Sequence, residues 1–197
     1  MRHLDLARPA MDEPRRRALV ERAQRGEQDA FAALVDASAD RLFAVAQRIL
    51  RDTDLARDAV QQALLGAWRD LRTLRDPERF DAWMYRLLVH ACYAEARQRR
   101  AQLGVVQPLR VPVPVSSDVT ARIADSDLIE HGFRRLSPEH RTVIVLHFYL
   151  DLPLVETARI MGTPVGTARS RLHYALARLR AALEADDART GRKDQSA

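Results

Sequence analysis

Ile160-Met161-Gly162-Thr163-Pro164-Val165-Gly166-Thr167-Ala168-Arg169-Ser170-Arg171 decides how this chain folds, because it sets a tight turn between two amphipathic segments. Gly162 is free to take the positive φ that such a turn needs, and Ala158, four residues earlier, keeps a helix crossing uncrowded. Thr163 offers an N-cap hydroxyl and Pro164 suits the first helical position, so a helix is predicted to start there. Val165, Ala168, Leu172, Leu176, Leu179 and Leu183 recur at spacings of three and four, which makes one apolar stripe. Arg169, Arg171, Arg178 and Arg180 lie off that stripe. No acidic residue stands between Val165 and Leu183, so the polar face carries uncompensated positive charge. With a capped helix opening at Leu136-Ser137-Pro138 and a short second helix before Gly162, the stretch reads as a helix-turn-helix whose last helix suits a major groove. An arginine-rich amphipathic helix alone is more often a solvated surface. The Gly-Thr-Pro turn behind Ala158 favours the DNA-binding reading. Ala168, small for a core position, predicts loose packing there.

Composition agrees. The 197 residues hold one domain or two small ones, 47% hydrophobic content is ample for folded cores, and the net charge of +5 favours an acidic partner. Seven glycines and no sustained period-two alternation predict an all-helical protein. All but Lys193 of the 32 basic residues are arginine. Arginine's planar fork suits phosphates and guanine edges, although a GC-rich genome would produce the same bias. The single cysteine, Cys92, excludes an internal disulfide or a CxxC metal site and reads as a buried thiol. No run approaches the length of a membrane span and no signal peptide is legible, so the simplest location is cytoplasmic.

From Gln102 to Ser126 the helical period is lost, and Val111-Pro112-Val113-Pro114-Val115 favours an extended, somewhat stiff linker too apolar to be a purely solvated tether. Before it, four helices are predicted. The first runs from Pro14 to Arg25 and stops at Gly26, and the second, Asp29 to Leu50, buries Phe31, Leu34, Leu42, Val45 and Ile49. Asp52 or Asp54 caps a third, Leu55 to Leu74, with Leu55, Ala59, Ala63, Ala67 and Leu71 on one face. Another face shows Asp58, Gln61, Gln62, Leu65 and Trp68, and a tryptophan and a leucine among exposed polar groups mark an interaction patch. The plainer alternative packs Trp68 over its own bundle. Asp76 caps and Pro77 opens a fourth helix holding Phe80, Trp83, Met84, Leu87 and Leu88 before its basic end, Arg97, Arg99 and Arg100. Aromatics beside a basic helix can stack unpaired bases, although for Trp83 alone the core reading is equally good.

Three blocks together resemble the bacterial sigma-70 family, specifically its small two-domain extracytoplasmic function (ECF) group. Asp54 to Arg69 is similar to the region 2.2 helix that binds the polymerase clamp. Phe80-Asp81-Ala82-Trp83-Met84-Tyr85-Arg86 is similar to the entry of regions 2.3 and 2.4, which melt and read the minus-ten element. Leu136-Ser137-Pro138-Glu139-His140-Arg141, followed by Val165 to His173, resembles region 4, which reads the minus-thirty-five element. The resemblance implies an all-α fold of two small domains: sigma region 2 over 14–101, a Pro/Val-rich linker over 102–126, a region 4 helix-turn-helix over 127–185 and a polar tail over 186–197. It departs from the family at Gln62, where glutamate is usual, at His90 and Ala94, where asparagine and aspartate are usual, and at Arg169, where lysine is usual.

The resemblance implies binding to core RNA polymerase, at its clamp and flap regions, and promoter-specific initiation, with no cofactor, metal or catalytic residue. Asp58, Gln61, Gln62, Leu65 and Trp68 would contact the core enzyme. Arg79, Phe80, Trp83, Arg86, His90 and Arg97 would serve the minus-ten element, with a base flipped out at a cost of a few kcal/mol. Thr163, Thr167, Arg169, Ser170, Arg171 and His173 would serve the minus-thirty-five element, Arg169 and Arg171 foremost. Promoter DNA and an anti-sigma factor are the further partners implied. A stand-alone helix-turn-helix regulator would explain the C-terminal block but not the N-terminal one. An enzyme is disfavoured, since GxxxxGK, GxGxxG and HExxH are absent and the six histidines show no ligand spacing.

Overall fold

The computed structural model describes the backbone of residues 11–104 and 132–194, with side chains through Ala181. Most of the expected linker therefore lies outside the described residues. No strand occurs among those described.

The N-terminal block is built from segments whose ends are written locally. Helix α1, Glu13–Gln24, has Pro14 in its first turn and gives way at Gly26, whose φ of 95° only glycine takes without strain. Helix α2, Gln28–Leu50, ends on Arg51 in the left-handed region at φ 61°. Helix α3, Thr53–Asp70, starts at Asp52, whose carboxylate accepts the amides of Asp54 and Leu55 at 3.0 and 3.1 Å. These bonds satisfy two of the donors that a helix start leaves orphaned. A single 3-10 turn, Leu71–Thr73, follows, and Asp76 caps a second, Pro77–Arg79, by accepting the Glu78 amide at 3.0 Å. Helix α4 is Phe80–Gln102.

Helix α3 lies between α2 and α4. Its inner face is a column of Ala56, Ala59, Ala63 and Ala67, all at most 2% exposed, which lets the larger Val45, Ile49, Leu88 and Val89 approach closely. Small against large is how neighbouring helices interlock at crystal-like density. Helix α4 buries Phe80, Met84, Leu88 and Cys92, each four residues apart.

In the C-terminal block, helix α5 is Pro138–Ile144 and begins at Ser137, whose hydroxyl accepts the His140 amide at 3.4 Å. It widens into a π turn, Val145–Tyr149, before a loop carrying Asp151 at φ 53°. Helix α6, Leu154–Met161, stops at Gly162 with φ 63°, as the turn reading requires, and Ala158 is 1% exposed at the crossing. Helix α7 spans Val165–Asp194. Three details of the expected helix change. The Pro164 carbonyl accepts the amides of Thr167 and Ala168 at 2.9 and 3.1 Å, so Pro164 occupies the cap position and Val165 the first helical one. The helix continues to Asp194, into the segment expected to be a polar tail. Its buried line runs through Ala168 and Ala175, both 0% exposed, flanked by half-buried Leu172 and Leu179, while Leu176 is 37% exposed and off it.

The two blocks pack together, α6 against α4 and α5 against α2 and α4, so that one apolar core runs from Val20 through Leu88 to Val143, Leu146 and Ile160.

Candidate nucleic-acid interface

Three surfaces carry the residues singled out from the sequence. The first is an open groove of about 560 Å³ between α2 and α3, lined by Phe31, Val35, Phe43, Val60, Leu64 and Leu65 with Trp68 at one end. Asp40, Arg57 and Gln61 supply the only polar side chains along it. Leu65 and Trp68 are 55% and 49% exposed, and the Trp68 ring meets Phe31 edge to face at 4.9 Å. Exposed large apolar side chains such as Leu65 and Trp68 favour association, since water gains by leaving them. Gln61, Leu65 and Trp68 come together here as expected; Asp58 and Gln62 are exposed on the same helix but outside the groove. The sequence placed Phe31 in the core, whereas it lines the groove. Phe43 and Leu64 went unnoticed, although each is a large apolar residue beside, rather than on, its helix's buried stripe.

The second surface is the outward face of α4. Arg79, Trp83 and Arg86 line a cavity of about 360 Å³ whose other wall is Glu156, Arg159 and Ile160 of α6. Arg79 pairs with Glu156 at 3.5 Å. His90 follows, exposed, with its ring so close to the turn that a Cβ on Gly162 would lie 3.7 Å from His90 Nε2. Partial burial, and then the nearby Arg86 and Arg97, hold the His90 imidazole below its usual pKa. Arg97 is exposed two turns further along. Phe80 departs from the expected set: it is 3% exposed in the core, with its ring 6.2 Å from Trp83, so it supports the tryptophan and offers no face to a base.

The third surface is the start of α7. Arg169, Ser170 and His173 are exposed, while Thr163, Thr167 and Arg171 are half-buried. Ser170 Oγ donates to the Thr167 carbonyl at 3.0 Å, leaving its lone pairs outward as acceptors. Arg171 leans toward the N-terminal block, close enough to influence both Tyr93 and His140. His140 accepts or donates with Ser137 Oγ at 2.9 Å, and burial, then Arg178, holds it below the usual histidine range. Cys92 is fully buried with its thiol pushed up to about 12, which makes it a packing residue rather than a nucleophile. Among the described residues no helix is long and apolar enough to cross a membrane.

An exposed apolar groove, an aromatic and arginine face on the adjoining helix and a helix-turn-helix thus occur on one chain. Residues 34–102 match the model of sigma-70 region 2 and residues 132–181 that of sigma-70 region 4. The chain belongs to the sigma-70 family. It is 33% identical over 162 residues to the RNA polymerase sigma-E factor of Streptomyces coelicolor, covering 82% of this chain and 90% of that one. It is 32% identical over 154 residues to the ECF RNA polymerase sigma factor SigM of Mycobacterium tuberculosis, covering 78% and 77%. Among solved structures, CnrH in complex with the cytosolic domain of CnrY matches with a TM-score of 0.61 and 26% identity over 87% of this chain and 99% of that one. RpoE in complex with the anti-sigma factor NepR from Bartonella quintana matches in fold, with a TM-score of 0.61 and 23% identity over 79% and 98%.

Proposed function

We propose that this chain is an ECF-type sigma factor, which binds core RNA polymerase and directs promoter-specific transcription initiation. The observation that carries this reading is the occurrence, in order on one chain, of a region 2 block and a region 4 block, each bearing its own exposed surface. A stand-alone regulator needs only the second. In this reading the groove around Leu65 and Trp68 seats on the polymerase clamp, with Asp58 and Gln62 on its flank. Trp83, Arg79, Arg86, His90 and Arg97 hold the opened minus-ten strand, stacking and phosphate contact offsetting the loss of base pairing. Thr163, Thr167, Arg169, Ser170, Arg171 and His173 sit in the upstream major groove. Everything proceeds by binding and strand separation with no covalent step at this chain, which acts in the cytoplasm beside the polymerase.

An anti-sigma factor is the further partner this reading implies; a solved structure of the same fold, RpoE from Bartonella quintana, holds the anti-sigma factor NepR. The decisive experiment is reconstitution with core polymerase and a genomic promoter pool, reading start sites. Discrete starts that depend on the added chain are expected; an absence of association with core, or tight duplex binding without it, overturns the reading. Within that assay Arg171→Ala should weaken promoter binding by about 1 to 3 kcal/mol if the guanidinium makes a bidentate base contact. Unchanged promoter affinity of the assembled holoenzyme removes Arg171 from the reading set.

A further inference from the structure

Helix α1 precedes the residues that match sigma-70 region 2, yet it is tied along its length to the chain that leads into α4. From Leu71 to Phe80 that chain makes two single 3-10 turns, and among the described residues their own hydrogen bonds reach three positions at most. Leu71, Leu74 and Phe80 sink into the core. Apolar burial is non-directional, so it holds the loop down without setting how one turn faces the other. The directional links come from α1. Gln24 Nε2 donates to the carbonyls of Leu71 at 3.1 Å and Leu74 at 2.7 Å, which uses both amide protons. Arg17 pairs with Glu78 at 2.8 Å, and Arg16, 18% exposed, pairs with Asp81 in the first turn of α4 at 2.9 Å.

The partners run in opposite order, from Gln24 back to Arg16 on the helix and from Leu71 forward to Asp81 along the loop. Residues 16, 17, 20 and 24 share one face of α1, and Val20 between the links is fully buried. From Arg16 to Gln24 the helix is a rod of about 12 Å, so the loop is laid against a fixed length.

We propose that α1 is a splint for strand capture: Gln24, with Arg17 and Arg16, presets the loop so that Arg79 and Trp83 stand ready before the strand arrives. This rests on reading the outer face of α4 as the minus-ten surface. Gln24 is then a positioning residue, acting through the loop.

Arg79 ends the second turn, exposed, and Trp83 lies one turn further on. A loop that is ordered only at capture subtracts its lost freedom from strand binding. One ordered in advance loses that freedom on folding, and the strand meets a finished surface. If without Gln24 the loop holds this geometry roughly a tenth of the time, apparent strand affinity falls about tenfold. The Arg17–Glu78 pair is exposed, so changing it costs the fold little.

The test uses the holoenzyme on a promoter recovered from the genomic pool. Closed-complex affinity is measured separately from the rate of strand opening, with unpaired thymines read by permanganate. Gln24→Met keeps the length and apolar stem of the side chain and donates nothing. It should open the promoter about tenfold more slowly, with core affinity and closed-complex affinity as in wild type. Arg17→Glu and Glu78→Arg should each slow opening about two- to fivefold, the scale of an exposed ion pair, and the two together should recover most of the loss. These single changes alter net charge in opposite senses, so a loss common to both cannot come from a less basic surface. The exchange, made at exposed positions, carries the test if Gln24→Met misfolds. Ile49→Val lowers the melting temperature through the core of α2 and should leave opening unchanged below melting. Opening that falls with melting temperature whichever residue is changed makes α1 a structural support only and overturns the splint. So does a folded Gln24→Met holoenzyme that opens as fast as wild type, or an exchanged pair that recovers nothing. A wild-type holoenzyme that opens no promoter overturns the minus-ten reading of α4, and the splint with it.

Discussion

Replacing Trp68 by alanine separates the docking role of the groove from its contribution to the fold. The ring is 49% exposed, so about half of a surface of roughly 250 Å² already lies on the protein, with Phe31 among its neighbours. Near 25 cal/mol per Å², those ~125 Å² stabilise the fold by at most about 3 kcal/mol, an upper bound because unfolded chains also bury some surface. That is a sizeable share of a small protein's stability but not all of it, so Trp68→Ala should melt earlier and remain folded at 20 °C. The outward half is of similar size. If core polymerase covers it, the variant loses up to about 3 kcal/mol of binding, roughly a hundredfold in Kd. The assay is competition of unlabelled variant against labelled wild type for core enzyme, run below the variant's melting range as set by circular dichroism. Leu65→Ala is the companion, since a side chain that is 55% exposed costs the fold less while losing the same contact. Two folded variants that compete as well as wild type would refute the groove as the polymerase contact and return Trp68 to a purely structural role.

Gly162→Ala should cost about 1 kcal/mol, because alanine at φ 63° is strained although its Cβ meets His90 only at ordinary contact distance; a melting temperature unchanged by calorimetry would contradict this. Cys92 should resist thiol reagents at pH 8 in the native chain and react at once in denaturant, and rapid native labelling would show that the helix packing around it is not as described. His90 and His140 are both held below the ordinary histidine range, so the unfolded chain takes up protons more readily than the folded one as pH falls through about 6.5. Stability is therefore complete above that pH and declines below it, and a double His90→Gln, His140→Gln variant should show a flatter denaturant midpoint between pH 7 and 5; an unchanged slope would exclude these two groups as its source.

The ends of the helices were legible because their causes are local. Asp52, Asp76, Pro14, Gly26 and Gly162 each act on the backbone within a few residues, and each does in the structure what its chemistry predicts. The π turn at Val145–Tyr149 was not legible, since an i to i+5 ladder carries no composition of its own and is settled by what the turn packs against. The same holds for the rotation of the α7 stripe toward Ala175. Leu176 is the more hydrophobic neighbour, yet Ala175 is the one fully buried, so tertiary fit overrides the hydrophobic count.

Phe80 is more instructive, because its burial was written in the chain. Phe80, Met84, Leu88 and Cys92 recur every four residues and form the inward line of α4, whereas Trp83, Arg86, His90 and Arg97 recur at three, four and seven on the opposite side. Reading proximity along the chain instead of angle around the helix put Phe80 with the wrong set. Separating the two lines also shows how α4 is held: the inner line fixes the helix in the core, and the outer line is presented on that rigid support. The residue pairing that no helical period reveals is the one between the two blocks. Arg79 and Glu156 are far apart in sequence and meet only once both blocks have folded.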